Sequence, residues 1–314
     1  MNILLCGQWD DAERDAWATA LRASLLPRDQ LVLQRDATMD ALIDVAVVAN
    51  PAPGALAGLP GLRLIQSLWA GVDRLLADNS LPHGVPLARM VDPAMNAAMA
   101  ETALWAVLSL QRGFFDYAQQ QRDGVWRALS QRRADETPVL LLGAGQMGQA
   151  AARRIAAAGF AVTVWRSAAG SWSEPGIRVV HGEAALRSAA APARVVINLL
   201  PLTAATRGLL GSALFSMLRR GASIVNLARG THLVERDLLE ALASGQIDRA
   251  VLDVFATEPL PSTHAFWTHP RITVLPHVAA LTDLRSAAAV VRRNLDALQR
   301  GAALAHLVDR RRGY

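Results

Sequence analysis

Val139-Leu140-Leu141-Leu142-Gly143-Ala144-Gly145-Gln146-Met147-Gly148 joins an apolar run to a GxGxxG spacing, and the helical stretch 149–158 follows at once. A strand before and a helix after make this spacing a dinucleotide signature. Gly143 permits the tight turn, Gly145 lets backbone approach a pyrophosphate, and Gly148 lets helix and strand pack closely. Ala144, Gln146 and Met147 complete the loop, and the helix N-terminus presents free N–H groups to the anion. The next apolar run ends in Trp165-Arg166-Ser167 with no acid. An acid there would bind ribose hydroxyls, whereas a guanidinium forms a planar fork with a 2′-phosphate. Trp165, Arg166 and Ser167 are thus read as cofactor residues, with NADP(H) preferred and NAD(H) possible; Arg166 as a solvated strand-end residue is the plainer alternative.

Three later segments each place one polar group where an apolar run gives out: Arg229 in 224–230, Glu258 in 251–260 and His277 in 274–280. Ligands of open α/β sheets bind beyond the carboxyl ends of strands. Arg, acid and His beside a nicotinamide suit a carbonyl reduction, in which hydride reaches the carbon and a proton must reach the oxygen. Singly, each has a bland reading: Glu258 as a surface acid, His277 as a satisfied loop histidine, Arg229 as the partner of Glu235.

The elements that must position these groups alternate. Strand-like runs at Asn2–Cys6, Val45–Ala49, Leu64–Ser67, Val139–Leu142, Ala161–Trp165, Val195–Leu199, Ser223–Asn226, Ala250–Asp253 and Ile272–Leu275 are mostly separated by Ala-rich amphipathic stretches. This rhythm implies parallel sheets covered by helices. It occurs twice, over residues 1–92 and about 137–276. Pro93–Arg122 carries apolar residues at helical spacing and reads as one long helix between the two series. The polar stretch Arg132–Pro138 reads as a boundary, and Leu284–Gln299 as an amphipathic helix returning to the first domain. The fold class is α/β: two Rossmann-like, doubly wound parallel-sheet domains with a cleft between them. The first is discontinuous, residues 1–100 plus 284–314, flavodoxin-like and substrate-binding. The dinucleotide-binding domain is 101–283.

Composition narrows the chemistry. All 32 basic residues are Arg, so Schiff-base, Walker-lysine and lysine-base mechanisms are excluded. The net charge of +5 is scattered in short runs, which suits attraction of small anions better than nucleic-acid binding. The single Cys6 forms no internal disulfide and anchors no metal cluster, and no metal site is expected among the seven His. No apolar run reaches the roughly 20 residues of a spanning helix. The N-terminus lacks a basic start and apolar signal core; it reads as the first strand of a soluble cytoplasmic protein with no membrane partner.

Gly143–Gly148, Asn226–Gly230, Asp253 through Glu258-Pro259 and Pro276-His277 together resemble the D-2-hydroxyacid dehydrogenase family. Asn198-Leu199-Leu200-Pro201, Trp267-Thr268-His269-Pro270 and the ending Val308-Asp309-Arg310 to Arg312-Gly313-Tyr314 resemble its glyoxylate/hydroxypyruvate reductase A branch. The resemblance covers nearly the whole chain. It implies His277 as general acid, Glu258 as its imidazole partner, and Arg229 as the group holding the substrate carboxylate and polarising the carbonyl. It implies Asp253 against the nicotinamide carboxamide and Leu200-Pro201 over the cofactor. Thr206 starts the next helix, and Leu227 and Ala228 complete the cofactor set. Trp69-Ala70-Gly71 resembles the loop whose amides bind the substrate carboxylate, with Trp69 either narrowing the pocket or packing inward. Arg285 stands two residues beyond the place, Asp283, where relatives carry an Arg. Met95–Leu110 and Trp126 resemble a dimerisation helix and arm. The implied activity is NADPH-dependent reduction of glyoxylate and hydroxypyruvate by a homodimer. The alternatives are a D-2-hydroxyacid dehydrogenase for another acid, or a corepressor-like redox sensor.

Overall fold

The computed structural model describes all 314 residues, which form two compact units: Met1–Met95 with Thr282–Tyr314, and Asn96–Leu281. The boundaries thus fall at Met95 and Leu281, a few residues from the 100 and 283 read from the sequence.

In the first unit, β1 (Asn2–Gly7), β2 (Gln30–Val32), β3 (Ile43–Ala49), β4 (Leu64–Ser67) and β5 (Leu87–Ala88) form one parallel sheet in the order β2-β1-β3-β4-β5. Helices α1 (Asp11–Ser24) and α2 (Asp73–Leu76) are interleaved. The central strand β3 is buried at Val45 through Ala49 without alternation, as a parallel strand covered on both faces must be. The C-terminal helix (Leu284–Gln299) rejoins this unit. Asp283 caps it by accepting the Arg285 and Ser286 N–H groups, and Ala287, Val290, Val291 and Leu295 form its buried face. Asn294, fully buried, donates to Gln66 Oε1 at 2.7 Å and accepts the Ala305 N–H at 2.8 Å.

The second unit opens with α3 (Pro93–Arg112), which begins in the last residues of the first, and α4 (Phe114–Arg122). The long helix expected over 93–122 is therefore two. Gly113 breaks it at φ 69°, in the left-handed region that ends helices. There follow β6 (Val139–Leu142), α5 (Gln146–Ala157), β7 (Val162–Arg166), β8 (Ile177–His181), α6 (Glu183–Ala190) and β9 (Val195–Asn198). After these come α7 (Ser212–Phe215), β10 (Ala222–Asn226), α8 (Glu235–Ser244), β11 (Ile247–Leu252) and β12 (Ile272–Val274). Their seven strands are all parallel, in the order β12-β11-β10-β9-β6-β7-β8. One face is sealed by Leu186, Leu214, Phe215, Leu238 and Leu242, the other by Met99, Ala103, Val107, Ala151 and Ile155. The strand order reverses between β6 and β9, the switch point beside which such sheets bind ligands. No helix is long and apolar enough to cross a membrane.

Candidate active site

The β6–α5 turn lies at that switch point. Gly143 has φ 112°, and a Cβ there would stand 2.7 Å from the Leu199 carbonyl oxygen. A Cβ on Gly148 would strike the Gly143 carbonyl, so the close helix–strand approach is real. Gly145 faces open space, with nothing within 4 Å of the Cβ it lacks, and no side chain caps the N-terminus of α5. Uncapped N–H groups beside an open glycine fit a dinucleotide pyrophosphate. Gln149 braces the turn by donating to the Ala144 carbonyl at 2.9 Å.

Arg166 ends β7, half-buried, with its guanidinium folded against Gly170; Ser167 is exposed beside it, and no acid lies between 162 and 170. Trp165, read as a cofactor residue, keeps its side chain buried. Its indole is buried in the core, and Nε1 donates to the Gly182 carbonyl at 2.8 Å. Alternation along the strand, with Arg166 next, turns it inward.

The three chemical groups come from three loops at the carboxyl ends of β10, β11 and β12. Glu258 Oε2 lies 2.8 Å from His277 Nδ1, and Oε1 accepts the Phe255 N–H at 2.9 Å. His277 Nε2 bonds to no protein group, and the ring is about half exposed. Burial pushes the Glu258 carboxyl up, but bonds from His277 and Phe255 and the charges of His277 and Arg229 outweigh it, holding it below the ordinary glutamate value. The Arg229 guanidinium donates to the Ala228 carbonyl at 2.7 Å. Glu235, the plainer partner read for Arg229, lies 3.2 Å from His264.

The backbone supporting this trio is under constraint. His277 adopts φ 56°, rare for a residue with a Cβ. Asp253 holds it there: its carbonyl accepts the His277 N–H at 2.9 Å, Oδ1 the Val278 N–H at 2.7 Å and Oδ2 the Ala279 N–H at 3.0 Å. Burial raises the Asp253 pKa, and the two backbone bonds offset part of that rise. Gly230 lets the Arg229 loop meet the 255–258 loop, since a Cβ there would overlap the Phe255 carbonyl and the Ala256 nitrogen.

The loop after β9 departs from expectation. Thr206 lies in a turn, six residues before α7, and does not start a helix. Its hydroxyl donates to the Pro201 carbonyl at 2.8 Å and accepts the Thr203 N–H at 2.9 Å. Polar closure of the loop by this Thr outweighs helix formation. Leu200 is buried, and its N–H reaches Asn198 Oδ1 at 3.2 Å; Leu227 and Ala228 are buried too. Asn198, Asn226 and His232 are fully buried and hydrogen-bonded together beneath these loops. The sequence by itself marks none of the three as a site residue. The available signal was polar side chains ending the apolar runs of β9 and β10.

In the first unit, the Ser67–Gly71 turn follows β4. Ser67 Oγ bonds both the N–H and the carbonyl of Trp69 at 3.0 Å, and the half-buried Trp69 meets Trp17 edge-on at 6.1 Å. Of the two readings of Trp69, the inward one accounts for this contact. No protein group accepts from the Ala70 or Gly71 N–H. Arg285 is exposed and pairs with Asp283 at 3.0 Å, which holds the Asp283 carboxyl down to about 2.

Residues 104–279 match the profile of the D-isomer specific 2-hydroxyacid dehydrogenase NAD binding domain. The chain is 38% identical, over the full length of both, to the glyoxylate/hydroxypyruvate reductase A of Yersinia enterocolitica. It is similar to the D-isomer specific 2-hydroxyacid dehydrogenase of Xanthobacter autotrophicus Py2, solved with NADPH and MES. The TM-score is 0.93 at 35% identity, covering 100% of this chain and 99% of that one. The NADPH-dependent glyoxylate/hydroxypyruvate reductase of Sinorhizobium meliloti, solved with NADP and sulfate, gives a TM-score of 0.90 at 33% identity, with coverage of 100% and 99%. With a matched profile over more than half its length and full-length relatives above 30% identity, the chain belongs to the D-isomer specific 2-hydroxyacid dehydrogenase family.

Proposed function

We propose that the protein reduces small 2-keto acids, glyoxylate and hydroxypyruvate first among them, with NADPH. The observation that carries this reading is the 2.8 Å Glu258–His277 contact, which leaves Nε2 without a protein partner. When bound, the dinucleotide supplies the hydride that reaches the keto carbon. Arg229 holds the substrate carboxylate and polarises the carbonyl. His277 Nε2 gives its proton to the carbonyl oxygen, and the half-exposed ring is reprotonated from solvent. Glu258 accepts the Nδ1–H, fixes the ring and balances its charge. In the reverse direction Nε2 is the base.

The loop 143–148 and the α5 N-terminus bind the pyrophosphate, with Leu200, Pro201, Thr206, Leu227 and Ala228 lining the rest of the cofactor's course. Arg166 and Ser167 bind the 2′-phosphate; the solved relatives carrying NADPH and NADP support that choice. Trp165 shapes the adenosine end through its backbone. Asp253, which turns the His277 loop, keeps a lone pair on each oxygen for the carboxamide. Ala70 and Gly71 offer N–H groups to the substrate carboxylate, and Trp69 braces that turn by packing inward on Trp17. NADPH and NADH oxidation with glyoxylate, hydroxypyruvate, pyruvate and bulkier keto acids tests the reading. Turnover of the two smallest acids with NADPH preferred supports it; NADPH binding without turnover of any acid overturns it.

We further infer a homodimer. Trp126 is fully exposed on the arm after α4, and the same unit carries a groove lined largely by Leu104, Trp105, Leu108, Phe114 and Phe115. Exposed rigid aromatics of this kind anchor interfaces. Sedimentation should give a dimer for the parent and a monomer for Trp126→Glu; a monomeric parent at micromolar concentration refutes the inference.

A further inference from the structure

The buried cluster beneath the 200–206 and 229–232 loops has one internally consistent hydrogen-bond assignment. Asn198 Oδ1 accepts the Leu200 N–H, so Nδ2 is the atom facing its other two neighbours, Asn226 Oδ1 and His232 Nδ1, each at 2.9 Å. Asn226 Oδ1 also accepts the Ala228 N–H at 3.3 Å, which leaves its Nδ2 to donate to the Arg229 carbonyl at 2.9 Å. Amide orientation is set here by the backbone groups on both sides. An amide NH₂ facing Nδ1 requires that nitrogen to accept, so the ring proton sits on Nε2. Nε2 lies 3.3 Å from both the Pro201 carbonyl and Thr206 Oγ1.

We propose that His232, in its Nε2–H form, is a positioning residue that locks the Pro201–Thr206 loop to the Asn198–Asn226–Arg229 backbone. This rests on the reductase reading above, in which Pro201 covers the cofactor and Arg229 holds the substrate. One end of the imidazole fixes the carbonyl of Pro201. The other, through the Asn198 and Asn226 amides, fixes the carbonyl of Arg229. Both loops leave adjacent parallel strands, and every side chain of the relay is fully buried. A buried polar network is stable only when each member is satisfied, so loss of the imidazole leaves Asn198 Nδ2 one acceptor short and the Pro201 carbonyl to Thr206 alone, which loosens both loops. Removing it therefore weakens dinucleotide binding and misplaces the guanidinium together, and neither group that touches substrate is altered.

The test compares His232→Phe, which removes both links, with His232→Gln, which restores a donor toward Pro201 and Thr206. Readouts are the NADPH Kd by fluorescence, kcat and KM for glyoxylate, and thermal midpoints. His232→Phe should raise the NADPH Kd and the glyoxylate KM and lower kcat by about tenfold, short of the roughly hundredfold a 1 Å misplacement can cost. His232→Gln should recover part of each. A purely structural residue would lower the thermal midpoint alone. In the parent, ¹⁵N histidine spectra at pH 7.5 should show the proton on Nε2. A soluble His232→Phe with all constants within twofold of the parent overturns the proposal. If that variant does not fold, a proton on Nδ1 in the parent does so. A parent that binds NADPH but turns over no keto acid defeats the reductase reading alone, and the NADPH Kd and the tautomer still decide the role of His232.

Discussion

Replacing Glu258 by Gln removes one charge and leaves the shape of the site almost intact. The Gln carbonyl can still accept the Phe255 N–H, now met at 2.9 Å, so the 255–258 loop keeps its anchor. What is lost is the carboxylate 2.8 Å from His277 Nδ1, a length typical of charge-assisted bonds. Its side chain is about 25% exposed, so solvent screens the interaction only in part. A hydrogen bond to a charged group contributes about 1.5–3 kcal/mol net, and each 1.36 kcal/mol is tenfold in rate; the expected fall in kcat is roughly 10- to 150-fold. Glu258 is hydrogen-bonded to His277 and Phe255 and to no group of the 143–148 turn, so the NADPH Kd should stay within about twofold of the parent, well under the 1.4 kcal/mol of a tenfold change. The assay is steady-state NADPH oxidation with glyoxylate, paired with a fluorescence titration of NADPH. A kcat within twofold of the parent, with normal folding, would show that the carboxylate does not serve the imidazole.

Gly230→Ala forces a Cβ into the Phe255 carbonyl, both partners being backbone; it should cost about 1–3 kcal/mol or more, read as a lower thermal midpoint with kcat reduced. Arg166→Ala should weaken NADPH by about 10- to 150-fold while leaving NADH nearly unchanged, measured as the ratio of the two Kd values. The Glu258 carboxyl is held below its unfolded value, so its stabilisation is complete above the ordinary glutamate pKa of about 4.3 and disappears as pH falls through the lower folded value. The gap in thermal midpoint between the parent and Glu258→Gln should therefore be open at pH 6 and close only below about 4.3; a gap already closed at pH 5 contradicts that sign.

The sequence was most legible where burial was deepest. The apolar runs of β3, β6, β9, β10 and β11 announced themselves because central parallel strands are covered on both faces. The strands not anticipated, β2, β5 and β8, are all sheet edges. β2 has three residues, β5 has two, and β8 is largely half-exposed, so their patterns carry little apolar signal. Gly113 ended a helix whose periodicity ran on through it, since side-chain spacing does not report a left-handed backbone. Glu258 and His277 could be named from their places at strand ends, and the structure brings them into contact. Their support could not be named that way. Asp253 holds three successive N–H groups through a turn that no spacing encodes. Asn198, Asn226 and His232 meet only because β9 and β10 are neighbours in register.

The central claim is that His277 delivers the proton from Nε2. Asn tolerates the left-handed backbone found at this position, so His277→Asn removes the imidazole with little strain. Single-turnover NADPH oxidation by that variant, with excess glyoxylate, should be at least about a hundredfold slower than in the parent while NADPH binding is retained. Near-parental hydride transfer in the Asn variant would contradict it.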